Sequence, residues 1–168
     1  MIMKRLLLIC LVLCFLGEYG YAVEKQKDIE ILYNRLLEEY LSDSVDVSQA
    51  EKDLAVMQTD GSWKDINYKT VTFYFDAERH LKRLKNMALA YSKPGNKLFH
   101  EQELRKKIIL GLDYFRIVNP DSGNWWYRDI GAPSQYMIPL LLLKKELKRE
   151  DVTRLSSYLV DKTCLLYT

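Results

Sequence analysis

The stretch HEQELRKKIILGLDYFRI, His100 to Ile117, sets Leu104, Ile108, Leu112 and Phe115 at steps of three and four with charged residues between them. That is the period of an α-helix turning one face to a core, so a helix is predicted over 100–117. The same period recurs on both sides of it. Upstream, Ile29, Leu32, Tyr33, Leu36, Leu37, Tyr40 and Leu41 share one stripe of a helix over about 24–41. Ser48 with Glu51 has the form of a capping box, followed by Leu54, Ala55 and Gln58 as a short helical face. Gly61 in Thr59-Asp60-Gly61-Ser62 is suited to the left-handed turn that ends such a helix. A third helix over 76–91 buries Ala77, His80 or Leu81, Leu84, Ala88 and Tyr91, and Lys93-Pro94-Gly95-Asn96 stops it.

Downstream, a loop is expected from Val118 to Gly131. A fifth helix opens with Pro133, whose missing N–H needs no partner in a first turn. Pro139 predicts a kink near 135–139, and a last helix from Arg149 or Glu150 carries Val152, Leu155, Leu159 and Val160. Thr70 to Phe75 is the one β-prone stretch, short enough for an extended connection. Five or six amphipathic helices with short loops define an all-α array of antiparallel pairs.

Composition narrows the function. The chain has 168 residues, 25 Lys+Arg against 23 Asp+Glu, and is 48% hydrophobic. Such a chain has the apolar content to fold, and its small net charge disfavours a nucleic-acid partner held by bulk charge. No Cys-rich spacing, GxGxxG or GxxxxGK[ST] occurs, so a disulfide scaffold, a zinc ribbon and a phosphate loop are unsupported. His80 and His100 lie on separate segments without a neighbouring Cys or an HxxxH partner, so no metal site and no cofactor is expected.

Residues 1–22, MIMKRLLLICLVLCFLGEYGYA, combine Lys4 and Arg5 with an apolar run from Leu6 to Leu16 and end on Ala22. This is the pattern of a secretory signal peptide, and the run is too short to cross a bilayer core. The expected organisation is therefore a leader at 1–22 and one helical domain at 23–168. The domain would be secreted or periplasmic, with no membrane association once the leader is removed. Cys10 and Cys14 would leave with the leader, and Cys164 alone cannot form an internal disulfide.

Two segments stand apart from the helical pattern. Thr59 to Tyr68, TDGSWKDINY, reads as a turn pinning Trp63 into the core. The segment 119–133, NPDSGNWWYRDIGAP, sets three aromatics in a row. Either they cap the core, or they form a shelf on which sugar rings stack while Asn124 or Arg128 bonds to hydroxyls or acidic groups. Paired carboxylates at Glu38-Glu39 and Asp43/Asp46 are read as solvated helix ends. The basic runs at 105–107, 144–145 and 148–149 are read as ordinary charged faces.

DGSWKDINY at 60–68 and NWWYRDIGAP at 124–133, with the helix ending AYSKPGNKLF at 90–99 between them, resemble the amino-terminal helical domain of polysaccharide lyase family 8. The similarity covers about 24–157. It implies a partial (α/α) toroid of helix pairs around a cleft that acts on uronic-acid polysaccharides by β-elimination. It also implies that Asn124, Trp125 and Trp126 contact substrate, with Tyr127 and Arg128 added by adjacency. The family's catalytic Asn, His and Tyr follow the Asn-Trp-Trp motif, and no segment here matches them; His80 and His100 precede it. No catalytic residue is therefore assigned, and the chain is expected to be inactive alone. Its expected partners are an acidic polysaccharide and the remaining carboxy-terminal part of a lyase. The competing readings are a non-catalytic carbohydrate-binding protein and a helical interaction module. A partial toroid also predicts an exposed apolar patch on the last helices.

Overall fold

The computed structural model describes residues 26–69 and 75–164, the side chains of Thr163 and Cys164 excepted. The leader and most of the β-prone stretch lie outside these residues. All regular structure among the described residues is helical. A helix α1 spans 26–42, followed by α2 (Val47–Val56), α3 (Glu78–Ser92), α4 (Gln102–Val118), α5 (Ala132–Leu143) and α6 (Arg149–Cys164).

The chain divides into a unit ending at Glu39 and a second unit from Tyr40 onward. In the first, the predicted helix is present and Tyr33 is buried, but Ile29 and Leu32 of the expected stripe are exposed, as is Ile31.

The second unit is organised around α3. It packs against α2, α4 and α5, and α6 packs against α4 and α5. Successive helices reverse direction across their loops, so α3 and α5 run the same way and meet side by side. Both are buried over most of their circumference: α3 through His80, Leu81, Leu84 and Met87–Tyr91, α5 through Ala132, Tyr136, Ile138–Leu140, Leu142 and Leu143. Helices α2, α4 and α6 bury one stripe each, which makes them the outer layer. The α4 stripe is the one read from its period: Leu104, Ile108, Leu112 and Phe115 are all fully buried.

Several sequence expectations are corrected by tertiary partners. The cap of α2 is Asp46, which accepts from Gln49 N at 2.9 Å, and Ser48 lies inside the helix. Asn86 of α3 selects this cap by bonding both the N–H and the C=O of Asp46, at 3.0 and 2.8 Å. Asp43 and Asp46 are thus structural groups, Asp43 pairing with Lys85 at 2.8 Å. The inner face of α2 is Ala50 and Asp53, with Met57 just beyond, rather than Leu54 and Ala55.

On α6 the buried face is Leu155, Tyr158 and Lys162, and Val160 is exposed. Tyr158 fits between Tyr136 and Phe115, with ring centroids at 4.7 and 5.8 Å, and Tyr136 Oη donates to Leu155 O at 3.1 Å. This aromatic trio joins α4, α5 and α6. The expected apolar patch on the last helices is therefore reduced, among the described residues, to Val160 as the exposed large hydrophobic residue of α5 and α6.

The turn reading of 59–68 agrees with the structure. Gly61 has φ 92°, and a Cβ there would stand 2.6 Å from Leu110 O, so both conformation and space require glycine. Asp60 Oδ1 accepts from Ser62 N and Oγ at 3.0 and 2.7 Å, closing the turn. Trp63 is 1% exposed, and its Nε1 donates to Asp53 O at 2.9 Å.

Candidate functional site

The expected loop from Val118 to Gly131 is only half a loop. Asn119 ends α4 in the left-handed conformation, with φ 42°, as a C-terminal cap. From there Ser122, buried, turns its Oγ toward Asn124 N at 3.1 Å, and Asn124 Oδ1 in turn accepts from Trp126 N at 3.0 Å. These two staggered caps satisfy donors at the start of a helical run that begins at Trp125, eight residues before Pro133.

The run contains a π-turn, Tyr127–Gly131, in which Ala132 N–H reaches back to Tyr127 O. Pro133 supplies its cause: it has no N–H for the carbonyl four residues back, and its ring would crowd that carbonyl in a regular α-turn. Widening the preceding turn relieves both problems. Beyond it α5 continues as helix through Pro139, and the π-turn lies upstream of the 135–139 segment.

This geometry fixes where each predicted site residue goes. Trp125 is 60% exposed and Trp126 47% exposed, so neither caps the core. Tyr127 is half-buried beneath them: its ring meets Trp126 edge-on at 5.3 Å and Phe75 at 6.1 Å. Its ring thus packs between the Trp126 indole and Phe75. Arg128 forms a two-pronged pair with its neighbour Asp129, Nε to Oδ1 and Nη2 to Oδ2, both at 2.9 Å. Hydrogen bonding to Arg128 holds the Asp129 carboxyl below its ordinary range. The Arg128 charge is thereby compensated within the chain. Asn124 spends its side-chain carbonyl on the cap, so the Nδ2 donors are the part left to face an outside acceptor.

Sequence reasoning did not single out Gly131. A Cβ there would lie 2.7 Å from Trp126 Cζ3 and 3.2 Å from Tyr127 Cδ1. The indole of Trp126 therefore rests on the bare backbone of the π-turn. Gly131→Ala is expected to displace this exposed indole while changing stability by less than about 1 kcal/mol, since the ring can swing outward and alanine favours a helix. Tryptophan emission and a urea melt on the same sample check it; an unchanged emission spectrum would contradict the contact.

The histidines sit elsewhere. His80 is fully buried, its Nε2 against Gly111 O at 2.9 Å and its Nδ1 against Tyr68 Oη at 3.0 Å. Because Gly111 O only accepts, Nε2 carries the proton. Tyr68 Oη then donates to Nδ1 while accepting from Trp63 N at 3.1 Å. His100 lies in the α3–α4 connection, at the opposite end of the helices from Trp125, and its ring stacks on Tyr91 at 5.2 Å. Among the described residues no group of three or more His, Cys, Asp or Glu is placed to hold a metal ion.

A second charged feature was also missed. Asp65 takes both Arg83 nitrogens, at 2.8 and 2.6 Å, and Arg79 Nη2 at 2.5 Å. Hydrogen bonding from Arg83, with its positive charge, pulls the Asp65 carboxyl down to about 2. Arg83 also reaches buried Asp53 at 3.2 Å and lies 5.3 Å from the centre of the Trp63 ring. The 60–68 segment is thereby fastened to α3 by ions on one side and by Trp63 on the other.

The described residues form an α/α helical array with an exposed aromatic pair at one end of an inner helix. Residues 29–162 match polysaccharide lyase family 8, N terminal alpha-helical domain, and the chain belongs to that family. It is 26% identical over 146 residues to chondroitinase-AC of Pedobacter heparinus, which covers 84% of this chain and 21% of that protein. It is 31% identical over 102 residues to hyaluronate lyase HylB of Enterococcus faecalis, covering 55% of this chain and 10% of the relative. Among solved structures, chondroitinase AC lyase, described through enzyme–oligosaccharide complexes, superposes with a TM-score of 0.67 at 25% identity. That match covers 75% of this chain and 20% of the other. The chain thus spans about a fifth or less of the length of these relatives. Its fold is a partial (α/α) toroid of antiparallel helix pairs.

Proposed function

We propose that this chain is the amino-terminal helical part of an exported polysaccharide lyase acting by β-elimination on uronic-acid polysaccharides such as chondroitin or hyaluronan. Its contribution is to hold sugar rings. The observation that carries this reading is the pair Trp125 and Trp126, presented to solvent by a capped helix start and a glycine-floored π-turn. Two flat, rigid indoles lose little entropy when a pyranose stacks on them, and the Asn124 amide donors lie beside them for a hydroxyl or carboxylate. Relatives whose printed names are chondroitinase and hyaluronate lyase supply the substrate class.

Elimination at a uronate needs its carboxylate neutralised, a base at C5 and an acid for the leaving O4. The described histidines do not serve: burial holds His80 in its neutral form with both ring nitrogens engaged, and His100 is at the other end of the array. Those groups come from other parts of the lyase. The N-terminal leader at 1–22 accounts for export, placing the domain outside the cytoplasm where such polymers are found.

Replacing Trp125 and Trp126 together by alanine is expected to weaken binding of a chondroitin oligosaccharide at least about 30-fold, the loss of about 2 kcal/mol typical of an aromatic anchor. Helicity should not change. Titration calorimetry with circular dichroism as the folding check measures it, and binding that survives the double substitution refutes the shelf. The purified chain should give no rise in the ultraviolet absorbance of unsaturated uronate from chondroitin or hyaluronan; sustained turnover would refute the division of labour.

A further inference from the structure

We infer that the α2–α3 loop carries a second, cationic contact for the same acidic polymer, formed by Lys64 and Lys69 across a cleft floored by Tyr114 and Val118. The inference rests on the proposal that Trp125 and Trp126 contact an acidic saccharide, and extends it to a new set of residues.

Topology places the two regions together. Alternating helix direction puts the α2–α3 loop and the α4–α5 loop at the same end of the array. The ring contact between Phe75 and Tyr127 at 6.1 Å joins them. Between Lys64–Lys69 of the first loop and the C-terminal half of α4 lies an open cleft of about 520 Å³, whose walls include Ile66, Asn67, Tyr68, Tyr114 and Val118. Tyr68 and Tyr114 meet edge-to-face at 5.0 Å, giving the cleft a rigid aromatic wall. Rigid aromatic and apolar surface with a few polar groups is the usual lining of a saccharide or ligand site.

Charge determines the ligand. The cleft has two carboxylates and two ammonium groups, which would cancel if all four were uncompensated. They are not: Asp65 is bonded by both Arg79 and Arg83, Asp76 pairs with Arg79 at 3.1 Å and accepts from Asn67 N at 2.6 Å, and Arg83 also reaches Asp53 at 3.2 Å, so two guanidiniums face three carboxylates and leave one negative charge against the two lysines. Among the described residues Lys64 and Lys69 have no ion pair, and both are exposed. The net charge around the cleft is therefore positive by one, and it is carried by the exposed lysines. Ammonium groups on flexible stems suit a polymer whose carboxylates or sulfates recur along its length, because they act as point charges without demanding one geometry.

The test compares the wild-type chain, Lys64→Gln/Lys69→Gln and Trp125→Ala/Trp126→Ala, with circular dichroism confirming the fold of each. The probes are a long unsulfated chondroitin oligosaccharide, its sulfated counterpart and an uncharged glucan of equal length. For the lysine variant, binding of both acidic oligosaccharides should weaken about three- to tenfold at low ionic strength. The gap to wild type should close as salt is raised, because exposed charges are screened beyond a Debye length of about 8–10 Å. A loss confined to the sulfated probe would assign the contact to sulfate, and an equal loss on both to the carboxylate. Affinity and salt dependence matching wild type in the lysine variant would overturn the inference and leave the shelf reading standing if the tryptophan variant still lost binding. Equal weakening toward the uncharged glucan would also overturn it, since charge would then not be the cause. Loss in the lysine variant with none in the tryptophan variant would instead remove the shelf and keep the cationic contact.

Discussion

Trp63→Ala is expected to destabilise the folded chain by about 3–5 kcal/mol, the range for removing a buried tryptophan from a packed core. Trp63 is 1% exposed and contributes in three ways that fail together. Its ring fills the space between α2 and α3, edge-on to His80 at 4.8 Å and under the Arg83 guanidinium at 5.3 Å. Its Nε1 satisfies Asp53 O at 2.9 Å, a buried carbonyl that would be left orphaned. Its own backbone N–H donates to Tyr68 Oη, so a shift of the main chain here reaches the His80 pair. A small domain has only about 5–15 kcal/mol in hand, so the variant should show a much lower urea midpoint with an unchanged slope. Trp63→Phe retains most of the apolar area and should lose about 1–3 kcal/mol, the part owed to the indole hydrogen bond. A Trp63→Ala cost below about 1 kcal/mol would show that the 60–68 segment is held by its arginine clasp alone.

The helices themselves were legible because their apolar residues recur at helical spacing: α4 shows its whole buried stripe in the letters, and α3 nearly so. Trp63 was legible for the same reason, a bulky apolar residue inside a turn signal. What escaped depends on partners distant in sequence. Asp46 caps α2 only because Asn86, forty residues on, grips its backbone, whereas the Ser48–Glu51 pattern is local and loses. The helical turns that precede α5 were hidden by their composition: two Trp, a Tyr and a Gly give no helical period. Pro133 marks the first turn of α5 as its residue type suggests, but a helical start and a π-turn precede it.

At the candidate site the letters Asn-Trp-Trp-Tyr-Arg did not disclose the local roles these side chains take in the fold. Asn124 is a helix cap as well as a candidate contact, Tyr127 a support, and Arg128 half of a closed ion pair. Gly131, the floor under Trp126, carried no signal beyond being a glycine. The uncompensated lysines of the α2–α3 loop could not be picked out from a charged run. Which of its charges are neutralised is decided by Arg79 and Arg83 on another element.

Lowering the pH from 7 to 5 is expected to cost the folded chain about 2 kcal/mol through His80 alone. Burial, the largest influence, pushes this imidazole down to about 3; the Gly111 carbonyl opposes the shift, Arg83 adds to it and Asp60 opposes it. Folded, the ring stays neutral because both nitrogens are committed, Nε2–H to Gly111 O and Nδ1 to Tyr68 Oη. Unfolded, it takes a proton below its ordinary value of about 6.5. The unfolded state then binds more protons than the folded state, so stability rises with pH across the window. The contribution is fully present above about 6.5 and drains at up to about 1.36 kcal/mol per unit as pH falls toward 3. At pH 5 the loss depends only on the folded value lying below 5. Asp65, held down to about 2 by Arg83, and Asp43, Asp60 and Asp129, all lowered, lose their contributions only as pH falls below the unfolded carboxylate range near 4. These four lie below the interval between pH 6.5 and 5; burial raises the Asp53 carboxyl, so any proton it takes there favours the folded state, opposite in sign to the histidine, and the His80 variant separates the two. Urea melts at pH 7, 6 and 5 measure the slope, and His80→Gln supplies the control. Its amide can donate to Gly111 O and accept from Tyr68 Oη without titrating, so that variant should be less stable at pH 7 yet nearly flat across the interval. An equal fall with pH in His80→Gln would place the titrating group elsewhere and break the link between this buried pair and acid sensitivity.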